Sequence, residues 1–252
     1  GWLERAKPMY LKAKEIYRHS IASDALDNVY FLQNIGLLLY KQSEYIEAIR
    51  SLEEAVKIFE KHLGVNTPEM VLTLNTLGLA YKDLGQLTIA EYILQRAVAI
   101  ARNSQQSVYL AINPLRNLAN LYRIQEKYQQ SLDFHTASLQ LCKTIHGEQN
   151  PETLFGMTMM SETLIEMGRY PQAREMLQSV LAFYVSKKDF FEPQISYPLS
   201  LLGRISYLTG DYSQAAEHLN SAWINFNKNH PKYDTFRTHL LSTMANLGMA
   251  KN

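Results

Sequence analysis

A small residue recurs every 41 or 42 residues along nearly the whole of this chain. The recurring positions are Gly36, Gly78, Ala119, Ser161, Gly203 and Ala245. A second pattern repeats in phase with the first, a small, an apolar and a small residue spaced by four and then three positions, as in Ala90, Leu94 and Ala97. A fixed period of this length indicates an array of similar modules, each of which buries its apolar side against its neighbours.

Each module is predicted to be two helices joined by a tight turn. In the second repeat, Leu74, Leu77 and Tyr81 are spaced as one stripe of a helix. Gly78 lies on that stripe, where a small residue allows a second helix to approach closely. Gly85 ends the first helix, because glycine adopts the left-handed conformation of the position after a helix without steric cost.

Five complete helix pairs are predicted within a single array that covers residues 1–252. The pairs are placed at about 29–61, 71–103, 112–145, 154–186 and 196–229. Residues 2–19 match the second helix of a truncated repeat, and residues 234–249 match a terminal first helix. We therefore expect the chain to be a piece of a longer parent protein. Pro151 is predicted to lie in the loop before the fourth pair.

Composition argues against several classes of partner. The formal net charge is +1 and the isoelectric point is about 7.9, so no nucleic acid or membrane surface is expected as a partner. The sequence contains no run of about 20 apolar residues that could span a bilayer. Cys142 is the only cysteine, which excludes an internal disulfide and favours a reducing, cytoplasmic location.

Motifs of catalysis and metal binding are missing from the sequence. There is no HExxH, CxxC, phosphate loop or GxSxG, so we expect no enzymatic activity, metal or cofactor. Cys142 is expected to be a buried thiol. His135 occupies a position where other repeats have leucine. A packed, hydrogen-bonded ring is expected there, with a pH switch as the alternative.

The repeated pattern of small and apolar residues resembles the tetratricopeptide repeat family. The 42-residue period and the loops at 62–69 and 145–153 resemble the kinesin-light-chain type of repeat. The resemblance implies an all-α fold, a right-handed α-solenoid of antiparallel helix pairs. It also implies that the first helices line a concave groove in which partner peptides bind.

Residues at fixed positions around each small first-helix residue are predicted to face this groove. The candidate peptide-binding residues are Asn34, Tyr40, Asn75, Lys82, Asn113, Arg116, Asn117, Asn120, Arg123, Glu162, Arg204 and Tyr207. Asparagines can donate to and accept from a peptide backbone, and arginines can bind carboxylates with two parallel hydrogen bonds. The alternative is that these are solvated residues, with Arg123 or Arg204 paired to Asp83, Glu162 or Glu166 of neighbouring repeats.

The predicted function is a non-enzymatic interaction module or scaffold that binds a peptide with an acidic and an aromatic or aliphatic anchor. One alternative is a sensor or regulatory arm of a larger signalling protein or bacterial effector, which binds a signalling peptide or an intramolecular domain. Another is self-association through the end repeats. The lysine and asparagine spacing that chaperone-tail-binding members of the family use is not met, because Asn75 is followed by Leu79 and Arg116 by Asn120.

Overall fold

A computed structural model describes residues 26–103, 105–187 and 192–229, together with the isolated positions Pro8, Lys12 and Met244. All regular secondary structure in these ranges is helical. The chain divides into two compact units, residues 1–141 and 142–252, which are described separately. Apart from the isolated positions, the predicted end helices at 2–19 and 234–249 lie outside the described residues.

The described part of unit 1 contains three helix pairs, the last of which continues past residue 141. The helices are α1 (Leu26–Lys41), α2 (Tyr45–Leu63), α3 (Met70–Asp83), α4 (Leu87–Arg102), α5 (Ile112–Ile124) and α6 (Tyr128–His146). A short 3₁₀ helix, Val108–Ala111, precedes α5. Consecutive helices pack together from α1 to α5. Helix α6 packs on α5, where Phe134 stacks on Tyr122 and Ser138 donates to the Ile112 carbonyl. The first helices α1, α3 and α5 also contact each other in sequence, so they form one layer.

The residues of unit 2 that the structure describes repeat this arrangement with two helix pairs. They are α7 (Pro151–Glu166), α8 (Tyr170–Ser186), α9 (Ser196–Leu208) and α10 (Tyr212–Asn229), with a 3₁₀ helix, Glu192–Ile195, before α9. The first helices α7 and α9 contact each other. The predicted all-α fold of antiparallel helix pairs is confirmed.

The recurring glycine is the point of closest approach between the two helices of a pair. A Cβ added to Gly36 would lie 2.3 Å from Leu52 Cγ, and one added to Gly78 would lie 2.6 Å from Leu94 Cγ. Gly203 would meet the equivalent leucine of unit 2 at 2.7 Å. Cβ contacts this short do not occur in real proteins, so these pairs require glycine. The prediction that the small residue permits close helix packing is confirmed.

The second-helix triplets predicted from the repeat are all buried, with at most 3% of any side chain exposed. They are Ala48, Leu52 and Ala55; Ala90, Leu94 and Ala97; Ser131, His135 and Ser138; Ala173, Leu177 and Val180; and Ala215, Leu219 and Ala222. Burial of each leucine-sized side chain contributes about 1.5–3 kcal/mol. The periodic stripe is therefore the core of the array.

Tyrosine side chains connect a first helix to the second helix of the preceding repeat. The hydroxyl of Tyr81 donates to Glu53 Oε1 at 2.5 Å, and that of Tyr122 donates to Glu91 Oε1 at 2.6 Å. Burial, followed by the bond to Glu53, raises the pKa of Tyr81 to about 12. The phenol therefore remains a donor at neutral pH, and the bonds fix the spacing between successive repeats.

The turn inside each pair places one residue in the left-handed region. Gly85, Gly168 and Gly210 have φ of 84°, 70° and 83° there. Ser43 and Glu126 occupy the same position in the first and third pairs, with φ of 61° and 60°. A residue with a Cβ loses about 1–2 kcal/mol in this conformation, so these two turns store strain.

Replacement of Glu126 by glycine is expected to stabilise the protein by about 0.5–1 kcal/mol. The relief of about 1–2 kcal/mol of strain exceeds the entropy that glycine adds to the unfolded chain. Urea denaturation followed by circular dichroism measures the difference. Gly85→Ala is the matched control and should lose about 1 kcal/mol. A Glu126→Gly variant no more stable than the wild type would contradict the expectation.

Pro151 lies inside the fourth helix pair and not in the loop where the sequence placed it. The side chain of Asn150 accepts a hydrogen bond from the backbone N–H of Glu152 at 2.9 Å and so caps α7. Proline then takes the first helical position, where its missing N–H has no cost. The helix consequently begins at residue 151.

Candidate functional site

The layer formed by α1, α3 and α5 presents one surface, which we call the first-helix face. Its rim at the N-terminal ends of α1 and α3 is apolar and exposed, because Tyr30 and Leu72 each have 53% of their surface accessible. Asn113 takes the same position on α5 and is also exposed. Tyr30 additionally packs edge-on against Phe59, with ring centroids 6.3 Å apart.

One turn further along, the polar side chains are largely buried. Gln33, Asn75 and Arg116 have at most 9% of their surface exposed. The sequence predicted Asn75 and Arg116 as lining residues that point freely into a groove. They are covered because the first helices contact one another on this side.

An amide pair joins two neighbouring repeats across the face. Asn117 Nδ2 donates to Asn75 Oδ1 at 2.7 Å. This bond uses one N–H of Asn117 and one lone pair of Asn75 Oδ1. Asn117 keeps its second N–H and its own carbonyl oxygen, and Asn75 keeps both of its N–H donors. Asn34 occupies the position of Asn117 two repeats earlier and is exposed. The structure thus brings two of the predicted asparagines into direct contact.

Two arginines of α5 are each oriented by an asparagine three residues earlier. Arg116 Nη1 donates to Asn113 Oδ1 at 3.4 Å, and Arg123 Nη2 donates to Asn120 Oδ1 at 2.9 Å. Arg116 is 6% exposed, whereas Arg123 is partly exposed. The two guanidinium groups therefore belong to one cationic segment of the face, with Arg123 the more accessible.

His135 of α6 lies beneath this cationic segment. Its side chain is 2% exposed, and its Nε2 atom has no hydrogen-bond partner. Leucines at this position in other repeats contact the small residue of the first helix, which here is Ala119, between Arg116 and Arg123. Burial, and then the positive charges of the two arginines, lower the pKa of His135 to about 3. The packed ring expected from the sequence is present, but its Nε2 is not hydrogen bonded.

At the C-terminal ends of α1 and α3, the predicted residues meet at a carboxylate that the sequence did not single out as a site residue. Tyr40 donates its hydroxyl proton to Asp83 Oδ2 at 2.8 Å, and Lys82 Nζ lies 2.8 Å from Asp83 Oδ1. Burial and then Asp83 raise the pKa of Tyr40 above its usual range, so the phenol stays protonated. The sequence did contain a signal for Asp83 as a site residue, because Asp83 directly follows Lys82 and lies one repeat after Tyr40.

The remaining predicted site residues belong to unit 2. Arg204 Nη2 lies 3.0 Å from Glu166 Oε1, as the alternative interpretation of Arg204 supposed. Glu162 accepts a hydrogen bond from the hydroxyl of Tyr197. Tyr207 packs on Tyr212 with ring centroids 5.8 Å apart. Arg204 and Glu162 thus have intramolecular partners within this unit.

The described residues contain no cluster of three or more side chains suited to a metal ion. Within the same ranges, no helix has both the length and the apolar character needed to cross a membrane. Cys142 is buried, as predicted.

Known proteins with this architecture place the chain in a family. The family profile of the tetratricopeptide repeat matches residues 27–103 and 110–184, more than half of the chain. Protein KINESIN LIGHT CHAIN-RELATED 2 of Arabidopsis thaliana is 23% identical over 202 residues, which cover 73% of this chain and 30% of that protein. The chain thus spans less than a third of the length of this curated relative.

Two solved structures show the same fold. BtubC (BKLC) from P. vanneervenii superposes with a TM-score of 0.70 at 16% identity, over 92% of each chain. A Podosopora anserina protein with nearly identical TPR-like repeats superposes with a TM-score of 0.67 at 20% identity, over 82% of this chain and 99% of that one. Together with the repeat pattern, the profile match shows that this chain belongs to the tetratricopeptide repeat family, with repeats like those of the kinesin light chains.

Proposed function

We propose that this chain is a non-enzymatic, cytoplasmic interaction module that binds an extended peptide of a partner protein on the first-helix face of unit 1. The repeat fold is a protein-interaction scaffold, and the chemistry of this face supports the finer assignment. The observation that carries it is the Asn75–Asn117 amide pair next to the arginines of α5.

The amide pair suits the main chain of a peptide. After the bond from Asn117 to Asn75, the pair still has amide N–H donors on both side chains and the carbonyl oxygen of Asn117 as an acceptor. A peptide group in an extended strand offers a carbonyl and an N–H in matching positions. Such a clamp holds the backbone without selecting side chains.

The selectivity comes from the two ends of the face. Arg123 is partly exposed and held by Asn120, so it is preorganised to bind a carboxylate. Tyr30 and Leu72 offer an exposed apolar rim at the opposite ends of the helices. Ten residues of helix separate these two rows, about 15 Å at 1.5 Å per residue. Leu72 also lies one helix to the side of Arg123, about 10 Å away. The two anchors are therefore about 18 Å apart, which an extended peptide covers with five or six residues.

Replacement of Arg123 by glutamine is expected to weaken peptide binding by about 10- to 150-fold, the loss typical of one charge-assisted hydrogen bond. The probes are fluorescein-labelled extended peptides, each with one aspartate and one leucine, tyrosine or tryptophan about five residues apart. Fluorescence anisotropy measures the dissociation constant. Arg102→Gln, at the exposed C-terminal end of α4, removes the same charge away from the face and should bind like the wild type.

Two results would reject the proposal. One is that no peptide of the panel binds the wild-type protein, and the other is that Arg123→Gln binds as tightly as Arg102→Gln. Charge reversal at Arg116 is a poorer test, because that side chain is only 6% exposed and a buried glutamate would lower stability as well.

The regulatory-arm alternative uses the same face but places the peptide in the same parent protein. A parent protein whose flanking segment carries the acidic and apolar anchors would favour it. In a competition experiment, the unlabelled flanking segment should displace the labelled peptide and lower its fluorescence anisotropy. The Arg123→Gln variant should abolish this decrease.

A further inference from the structure

We propose that a cavity between α6 and α8 in unit 2 binds a small hydrophobic carboxylic acid. Its volume is about 470 Å³, within the range of about 300–1,000 Å³ that is usual for small-molecule sites. All of its lining residues belong to unit 2, so none of them is part of the first-helix face of unit 1. We call it the α6–α8 cavity, and its lining includes Lys143, Leu154, Met157, Ser179, Phe183 and Lys187.

The cavity lies where an equivalent junction of this chain is bridged by an ion pair. Between α2 and α4, Arg96 Nη2 lies 2.7 Å from Glu60 Oε1 and donates to the carbonyl of Val65 at 2.7 Å. Glu60 and Lys143 each follow the last residue of their second-helix triplet by five positions. Arg96 and Ser179 each precede the last residue of theirs by one position. The bridging acid and arginine are therefore replaced by a lysine and a serine.

The loops at the two junctions are alike, so the difference between them lies in the side chains. Gly64 and Gly147 occupy the same loop position, with φ of 93° and 87°. Pro68 and Pro151 each follow that glycine by four residues. A serine is too short to cross the gap as the arginine does. The gap is consequently a cavity at the second junction, and a cation lines it where the first junction has a carboxylate.

The lining combines an apolar surface with positive charge. Leu154 is 3% exposed, and Met157 and Phe183 are half-buried beside the same cavity. Lys143 and Lys187 also line it. An apolar surface of this kind accepts a compact hydrocarbon or aromatic group, and the few polar groups around it fix the orientation of the ligand.

The charges of the lining favour an anion with a single charge. Lys143 Nζ lies 3.0 Å from Glu148 Oε1, and 77% of the Glu148 side chain is exposed. Two lysines and this one glutamate leave a net charge of +1 on the cavity lining. An ammonium group has three N–H donors, so Lys143 can bind Glu148 and a ligand carboxylate together. The hydroxyl of Ser179 provides a further donor.

Nuclear magnetic resonance of the full chain labelled with ¹⁵N tests the proposal. The probes are indole-3-propionic acid and octanoic acid, each titrated at neutral pH. We expect a dissociation constant of about 0.05–1 mM for the tighter acid, the affinity that ligand efficiency allows for a molecule of this size. The largest shift changes should fall on residues that line the α6–α8 cavity. Indole-3-propionamide, which has the same body without the charge, should bind about fivefold more weakly than its acid.

Lys143→Gln should weaken binding of the acid by about fivefold, the upper end for a partly exposed ion pair. Lys57→Gln is the matched control, because it removes the same charge from an exposed position on α2 in unit 1. This control should bind the acid like the wild type. Both substitutions keep a polar side chain of similar length on a helix, so the fold is expected to persist.

A double variant rebuilds the bridge of the first junction inside the cavity. Lys143→Glu with Ser179→Arg places an acid and an arginine at the positions of Glu60 and Arg96. The arginine should fill the gap and abolish binding of the acid, while the urea midpoint stays equal to that of the wild type or rises. If this variant folds poorly, the comparison of Lys143→Gln with Lys57→Gln decides alone.

Four results would overturn the proposal. They are the absence of binding by both acids, shift changes centred outside the cavity, equal affinity for the acid and its amide, and equal affinity of the two lysine variants. Binding of the blocked dipeptide N-acetyl-aspartyl-phenylalanine amide in the cavity, with neither acid bound, would also overturn it, because the occupant would then be a peptide.

The proposal goes beyond the proposed function and does not rest on it. Arg123→Gln, which should weaken peptide binding on the first-helix face, should leave the affinity for the acid unchanged. Loss of acid binding in Arg123→Gln would place the acid on that face and so contradict the assignment to the α6–α8 cavity. Each proposal can therefore fail while the other stands.

Discussion

The Gly78→Leu variant is expected to lose more than about 3 kcal/mol of stability or to fail to fold. A Cβ alone at residue 78 would lie 2.6 Å from Leu94 Cγ and 2.8 Å from Cδ2, and leucine adds three further carbons in the same space. Overpacking of a well-packed contact typically costs about 1–3 kcal/mol, and here the neighbouring backbone of α4 would have to move. Urea unfolding monitored by circular dichroism measures the loss.

Smaller changes at the same contact provide the controls. Gly78→Ala should lose about 1–3 kcal/mol by the same overpacking, and Leu94→Ala about 2–5 kcal/mol because it leaves a cavity. The double variant should lose less than the sum of the two, since each change relieves the defect of the other. Additive losses, or a Gly78→Leu protein as stable as the wild type, would show that this contact does not set the helix spacing.

Acidification is expected to destabilise unit 1 through His135. Its pKa is about 3 in the folded protein and about 6.5 when unfolded, so below pH 6.5 the unfolded chain binds the proton that the folded chain excludes. The contribution of the neutral imidazole is therefore complete above pH 6.5 and is lost progressively as pH falls toward 3. By pH 4.5 the loss amounts to about 2–3 kcal/mol.

The His135→Leu variant isolates this contribution, because the carboxylates that titrate in acid are the same in both proteins. Above pH 6.5, the difference in unfolding free energy between variant and wild type should change little with pH. Between pH 6.5 and 4.5 this difference should grow by about 2–3 kcal/mol. Urea denaturation at a series of pH values gives the two curves. Parallel curves over this range would mean that His135 is protonated as easily in the folded protein as in the unfolded one.

The candidate site was less predictable than the repeat. The sequence predicted that Asn75, Asn117 and the arginines of α5 face or flank one groove, and the structure places them on the first helices α3 and α5. It did not reveal that Arg116 would be 6% exposed. The burial of Arg116 depends on how closely α3 and α5 approach each other. That distance is set by the volumes of many packed side chains.

The sequence also did not determine which charged side chains pair with each other. Arg204 had several carboxylates within one repeat, and the structure pairs it with Glu166. Asp83 was considered only as a partner for arginine, yet it contacts Tyr40 and Lys82. Ion-pair choice depends on differences of about 1 kcal/mol between alternative rotamers, which sequence spacing does not resolve.

The helix pairs, their turns and the buried stripe are predictable from the amino-acid order alone, because they follow from spacing within a few helical turns. Gly78 against Leu94, and the left-handed residue at Gly85, are set by contacts between nearby parts of the chain. Which polar residues of successive first helices meet, as Asn117 meets Asn75, depends on the three-dimensional packing of the helices. Those contacts join residues a full repeat apart, and their geometry depends on how the intervening helices pack.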